Sequence, residues 1–337
     1  MCPESAPPAQ PAELAPFRAL SERVRNWGRW GPDDELGTLN LITAEATLGA
    51  AAEVRRGVMF SLGMELGSSG PQSGSPIRSN PIHLMTVDGG DAESLVSLDR
   101  PSGLGPAADY VAWRGHDNLF RFNDDYIMMP LQAATQWDAL AHVYYEGQLY
   151  NGVSAATVTS QGALRCGIDK VQERGIVGRS VLIDVAGHRA AAGVDDDSAV
   201  SPEELDEVLA RQGTRLVAGD IVVVRTGWMQ RYRQASDATV TSGLHWTCAG
   251  WLYDHSVAAL AADNPGVEQL GTVLPGAYLP MHLLALRDMG LMFGEYWDLE
   301  ALASDCRQDG RYTFQLAAPP LKVVGGVGSP VNPIAIK

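Results

Sequence analysis

Lysine is nearly missing from this chain. Only Lys170, Lys322 and Lys337 occur, so the positive charge is carried almost wholly by arginine. Acidic residues outnumber basic ones, 40 against 25, for a formal net charge of -15. No Lys/Arg run is present, and an acidic chain repels nucleic acid and anionic membrane surfaces. A nucleic-acid partner is not expected. Cysteine is scarce as well. Cys2, Cys166, Cys248 and Cys306 lie far apart with no C-x-x-C pair. That spacing excludes a structural zinc knuckle and fits a reducing compartment. No apolar run approaches the ~20 residues of a membrane span. The first residues lack the basic start and apolar core of a signal peptide. These absences predict a cytoplasmic protein with no membrane partner.

What remains is ordinary globular composition. The 337 residues are 45% apolar, with 36 Gly and 20 Pro, enough to bury a sizeable core. Residues 1–16, rich in Pro, Ala and Glu, read as a disordered tail. No linker or internal repeat divides residues 17–337, which read as one domain. Helices are predicted at Phe17–Trp27, at Ala44–Arg56 behind a Thr43 cap, and at Ala249–Asp263. Another opens at Ser201-Pro202-Glu203-Glu204, with Leu205, Val208 and Leu209 on one face. Strands are predicted within residues 58–86, broken by a loop at Gly67–Ser79, and at Val181–Val185, Ile221–Arg225 and Tyr312–Ile336. The fold class is therefore α/β, with a mixed β-sheet core flanked by helices.

The chemistry concentrates in Leu131 to His142. Asp138 and His142 stand four apart and would share a face of a helical turn. Gln136 and Asp138 stand two apart, on one side of an extended segment. A carboxylate, an imidazole and an amide oxygen suit Mn²⁺ or Zn²⁺ better than a thiolate-seeking ion. The same Asp–His spacing also fits a plain structural hydrogen bond. Downstream, His282 and Glu295 are polar residues set in apolar surroundings. A buried charge must be paired or bound to a cation. For Glu295 the alternative partner is an arginine such as Arg225 or Arg287.

Taken together, these residues resemble the cyclase / kynurenine-formamidase-like metal hydrolases, which include arylformamidases, isatin hydrolase and trans-dienelactone hydrolase. Their signature, H-x-G-T-H-x-D-x-x-x-H followed later by a His and a Glu, aligns without gaps. Here it runs Gln132-x-Ala134-Thr135-Gln136-x-Asp138-x-x-x-His142, then His282 and Glu295. Trp30–Asn40, Gly219–Trp228 and Asp263–Glu268 are similar to segments of the longer members, so the likeness covers most of residues 26–325. Two signature histidines are replaced by Gln132 and Gln136, and the signature glycine by Ala134.

The resemblance implies a single catalytic domain of the swivelling β/β/α type over residues 17–337. It implies one divalent ion, Mn²⁺ or Zn²⁺, held by Gln136, Asp138, His142, His282 and Glu295. It also implies a homo-oligomer, dimer or tetramer, and a small-molecule substrate. The reaction implied is hydrolysis of a small, often cyclic, ester or amide by metal-activated water. His282 or Glu295, where not a ligand, is the candidate to move the proton. Gln132, Trp137, Tyr144 and Asn151 are candidates to touch substrate, with core packing and turn roles as the alternatives, as for Tyr145. His83 and His116 read as structural. No cysteine has a recognisable His partner, and no G-x-S-x-G elbow is present. Two other readings are a biosynthetic cyclase using the same metal, and a binding protein that has lost it.

Overall fold

Ile221-Val222-Val223-Val224-Arg225 is buried throughout and has a β-branched residue at four of its five positions. Such a run suits a strand covered on both faces, the environment of a parallel sheet centre. It is the fourth of nine strands in one sheet. In chain order these are β1 (Met59–Ser61), β2 (Gln136–Asp138), β3 (Val177–Asp184), β4 (Ile221–Arg225) and β5 (Ala259–Ala262). β6 (Met292–Glu295), β7 (Thr313–Ala317), β8 (Gly328–Pro330) and β9 (Ile334–Ile336) complete it. Their spatial order is β1-β9-β7-β3-β4-β5-β6-β2-β8. β3 to β6 run parallel, while the outer pairings are antiparallel. The sheet is therefore mixed, as expected.

This computed structural model describes residues 13–88, 101–102, 105–106, 119, 122–171, 174–191, 198–235, 242–271 and 274–337. Residues 1–12 of the expected 1–16 tail, and His116, fall outside them, while Ala15 and Pro16 of that expected tail are helical. The chain divides into two compact units, Met1–Met64 with Ala134–Lys337, and Glu65–Ala133. The large sheet belongs to the first. The second contains an antiparallel ribbon of Ile82–Val87 with Asp124–Met128. Asn80, just after its 67–79 loop, accepts from the Gln72 amide N (2.8 Å) and donates to the Ser68 carbonyl (3.0 Å).

Several helices follow their local signals. α1 (Ala15–Val24) starts two residues before the expected Phe17, with Pro16 in its first turn. α2 (Ala44–Ala51) has the Thr43 cap, which accepts from Ala46 N at 3.2 Å, but stops short of Arg56. Its extension is broken where Glu53 turns to Arg179 and Thr313 on β3 and β7. α3 is Val185–Ala191. α4 (Pro202–Gln212) has Ser201 accepting from Glu204 N (3.2 Å) and a left-handed Gly213 at its end. α5 is Trp228–Ala235.

The helix expected at Ala249–Asp263 is two elements. α6 (Cys248–Asp254) ends at Asp254, and Ala259–Ala262 is strand β5. A short, wholly apolar run carries no periodicity to tell helix from strand, and here the sheet centre claims it. α7 is Glu300–Asp309. No helix among the described residues is long and apolar enough to cross a membrane.

Candidate metal centre

Strand register brings the first carboxylates together. β6 pairs antiparallel with β2 so that Glu295 faces Gln136, Gly294 faces Trp137 and Phe293 faces Asp138. Directly opposite residues share a face, and so do residues two apart. Gln136, Asp138 and Glu295 therefore point to one side. Gln136 Nε2 donates to Glu295 Oε2 at 2.7 Å and to Asp138 Oδ1 at 3.5 Å. Glu295 closes the last parallel strand, at the carboxyl end where ligands of such sheets bind.

His282 arrives from the helical turn Pro280–His282, ahead of the wide turn Leu283–Met289. Its Nε2 lies 3.3 Å from Glu295 Oε1, and its ring meets Phe293 edge-on at 4.9 Å. On the other side of the ring stands Glu268. Its Oε1 accepts from His282 N (2.8 Å) and faces His282 Nδ1 (2.6 Å); its Oε2 accepts from Met281 N (3.0 Å). Burial alone lowers the imidazole pKa, but the hydrogen bonds and charges of Glu268 and Glu295 overcome this and push it up to about 10. Glu268 was not singled out in the sequence as a site residue. The local signal was an acid closing the Asp263–Glu268 segment; its partner, fourteen positions on, becomes visible only in the fold.

Three left-handed non-glycine residues adjoin the site. Val267 (φ 60°) precedes Glu268, Tyr296 (φ 57°) follows Glu295, and Leu279 (φ 51°) precedes the His282 turn. Each such conformation costs on the order of 1–3 kcal/mol and tends to cluster at functional sites.

The donor set fits a divalent cation. Asp138, His282 and Glu295 are buried, and each offers a ligand atom within 4.8 Å of the others. Gln136 Oε1 is buried with no hydrogen-bond partner among the described residues. Two carboxylates, an imidazole and an amide oxygen form a hard, mixed set suited to Mn²⁺ as well as Zn²⁺. Binding at His282 Nε2 would displace its proton.

His142 stands beside this cluster and outside it. Its Nε2 is 3.8 Å from Asp138 Oδ2, and its side chain keeps 19% of its surface accessible. β2 ends at Asp138, and a turn closed by His142 N to Ala139 O (2.9 Å) carries the ring alongside the carboxylate. The arginines weighed against Glu295 are engaged elsewhere. Arg225 binds Asp184 and Glu300, and Arg287 binds Asp288.

The expected substrate contacts fare differently. Trp137 points to the opposite face of β2 and is fully buried. Its Nε1 donates to the Ala318 carbonyl (2.9 Å), and its ring meets Trp297 edge-on at 5.0 Å. Gly294 leaves room for that pair, since a Cβ there would lie 2.8 Å from Trp297 Nε1. The tryptophan is core, because strand alternation turns it away from Asp138. Asn151 is a clamp. Its Nδ2 donates to the carbonyls of Gly31, Pro32 and Asp34, and its Oδ1 accepts from Gly28 N. Those four contacts use both ends of the amide to hold the stretch from Gly28 to Asp34.

Tyr144 is exposed, and Tyr145 donates to Asp288 Oδ2 at 2.7 Å. Gln132 lies in the second unit, buried, with its carbonyl accepting from Arg78 Nη1 (3.4 Å). His83, in the same unit, faces Asp125 at 2.7 Å. Cys166, Cys248 and Cys306 are buried free thiols whose pKa values burial raises, those of Cys166 and Cys306 to about 12 and about 11. Buried thiols held protonated are poor nucleophiles.

The family described as putative cyclase matches residues 60–269. A crystal structure described as a novel cyclase is 37% identical, covering 93% of this chain and 100% of its own, with a TM-score of 0.80. Isatin hydrolase A from Labrenzia aggregata, bound to benzyl benzoate, is 19% identical over 85% of this chain and 94% of its own, TM-score 0.56. Isatin hydrolase A from Ralstonia solanacearum is 18% identical over 87% and 97%, TM-score 0.55. At such identities these two hydrolases share the fold. No curated protein sequence matches the chain. With a family match over more than half its length and a far closer likeness to the novel cyclase structure, the chain belongs to the putative cyclase family.

Proposed function

We propose that this protein is a metal-dependent hydrolase that acts on a small ester or amide, either a cyclic one of lactone or imide type or a formamide. The observation that carries the reading is the buried convergence of Asp138, His282 and Glu295. These residues, with Gln136 Oε1, would hold one Mn²⁺ or Zn²⁺ ion. When bound, such an ion supplies Lewis acidity to a carbonyl oxygen and to water. The isatin hydrolases that share the fold are named for a hydrolysis of this kind.

The chain's own residues divide the remaining work. Gln136 Nε2 holds the Glu295 carboxylate toward Asp138. His282 is gripped from two sides, by Glu268 and Glu295, which fixes its ring for the ligand role and removes it from proton transfer. The mobile proton then belongs to His142, the partly accessible imidazole beside Asp138. An imidazole there can take a proton from attacking water and return it to the leaving oxygen or nitrogen.

The test is a panel of lactones, N-formyl arylamines and cyclic imides, assayed with Mn²⁺ and with Zn²⁺. Metal-dependent opening of at least one class is expected. A protein that binds the ion yet opens none of them, while closing the corresponding open-chain acids into rings, would make the activity cyclisation.

A further inference from the structure

We propose that Glu268 is the positioning residue of the metal centre: its carboxylate orients the His282 imidazole so that Nε2 faces Asp138 and Glu295, and thereby sets the affinity for the ion. This rests on the reading of Asp138, His282 and Glu295 as the metal ligands.

The geometry is specific. One carboxylate accepts from two successive backbone amides, Met281 N at 3.0 Å and His282 N at 2.8 Å, and meets the Nδ1 of the same histidine at 2.6 Å. The backbone contacts fix where the turn begins, and the ring contact fixes how the imidazole is rotated. An ionised carboxylate only accepts, so Nδ1 keeps its proton against Glu268, and Nε2 is the nitrogen that gives up its proton to a bound ion. Carboxylates on the far nitrogen of a metal-bound histidine fix the tautomer and raise its basicity.

The route to Glu268 is itself unusual. Val267 is β-branched and left-handed at φ 60°, directly after Gly266 at φ 88°. A valine in that region is a costly outlier. Here it turns the chain so that the next side chain lies against the Pro280–His282 turn. Glu268 is 1% exposed, so the contact forms away from competing water.

The experiment compares wild type with Glu268→Gln and Glu268→Asp, titrated with Mn²⁺ alone in competition with a chelator. Unfolding of the metal-free proteins is followed in parallel. Glu268→Gln keeps one acceptor but presents an amide donor, and Glu268→Asp withdraws the carboxylate by one methylene. Both are expected to weaken Mn²⁺ binding by about 10- to 100-fold in the folded protein. A purely structural role would lower the melting temperature and leave the affinity of the folded fraction unchanged. Mn²⁺ affinity within twofold of wild type in either folded variant overturns the proposal. If neither variant folds, ¹⁵N NMR of wild-type His282 decides it. A protected, hydrogen-bonded Nδ1 proton that persists with the ion bound supports the proposal, and protonation at Nε2 with the ion bound overturns it. Wild type that takes up no divalent ion removes the metal reading itself, a result distinct from an intact wild-type site beside an unaffected variant.

Discussion

Asp138 is fully buried, and its carboxylate shares a face of β2 with Gln136. Asp138→Ala removes one of the two carboxylate ligands and is expected to abolish both metal content and turnover, read by elemental analysis and by assay. His142→Gln should behave differently, because the ring sits outside the cluster. It is expected to keep the ion and lose turnover by about 10²- to 10⁴-fold, the range of a lost acid–base group. Loss of the ion in His142→Gln would instead make His142 a ligand. Trp137 pairs with Gly294, one register position from Glu295, and so lies on the other face. Trp137→Ala should cost about 3–5 kcal/mol of stability, measured by urea unfolding, since it empties a large core site.

At the scale of elements, helices and strands are joined by side chains that act as ties. Glu53, just past α2, accepts from Arg179 Nε at 2.9 Å on β3 and from Thr313 Oγ1 at 2.7 Å on β7. Burial works to raise its pKa, but the Thr313 and Arg179 hydrogen bonds and the Arg179 and Arg311 charges overcome that and hold it below the ordinary carboxylate value. A lowered folded-state pKa means stability that is present above the unfolded value of 4.5 and lost as pH falls through the folded one. Urea unfolding between neutral and acid pH should show this loss, and Glu53→Gln should flatten it. A Glu53→Gln protein with the wild-type acid profile would assign the acid sensitivity to other groups. Asn151 is a tie of another kind. Asn151→Ala is expected to lower stability by about 0.5–1.5 kcal/mol, from hydrogen bonds lost to partly exposed backbone groups, with KM unchanged. A raised KM at unchanged stability would return Asn151 to the substrate.

Which elements were legible follows from where their information lies. α4 was readable because its cap, first-turn proline and apolar face are local. β5 was read as helix because Val257–Ala262 has no period, and only its place between β4 and β6 decides it. Asp138, His282 and Glu295 were legible as charged residues in apolar stretches, an arrangement with few physical explanations. Glu268 was not, since its meaning depends on a loop meeting a turn. For Trp137 the sequence leaves substrate contact and core packing both open, because nearness to Asp138 along the chain becomes opposition in space only once the segment is a strand.

For the whole molecule, the centre joins β2 to the carboxyl end of β6 and to the turn that precedes it. β2 is more than a hundred residues from the other two in sequence, so an ion bound there cross-links distant parts of the chain. Metal removal should therefore lower the melting temperature. A ligand at about 100 times its Kd adds roughly 2.7 kcal/mol to the folded state. Chelation followed by calorimetry checks this, and Asp138→Ala should show no response to the chelator. The most direct test is metal stoichiometry in folded wild type and in Asp138→Asn, each equilibrated with Mn²⁺ or Zn²⁺ and then desalted. The expected result is a single ion per wild-type chain and none in the variant. Wild type that holds neither ion, or a variant that holds as much as wild type, would contradict a metal centre built on Asp138, His282 and Glu295.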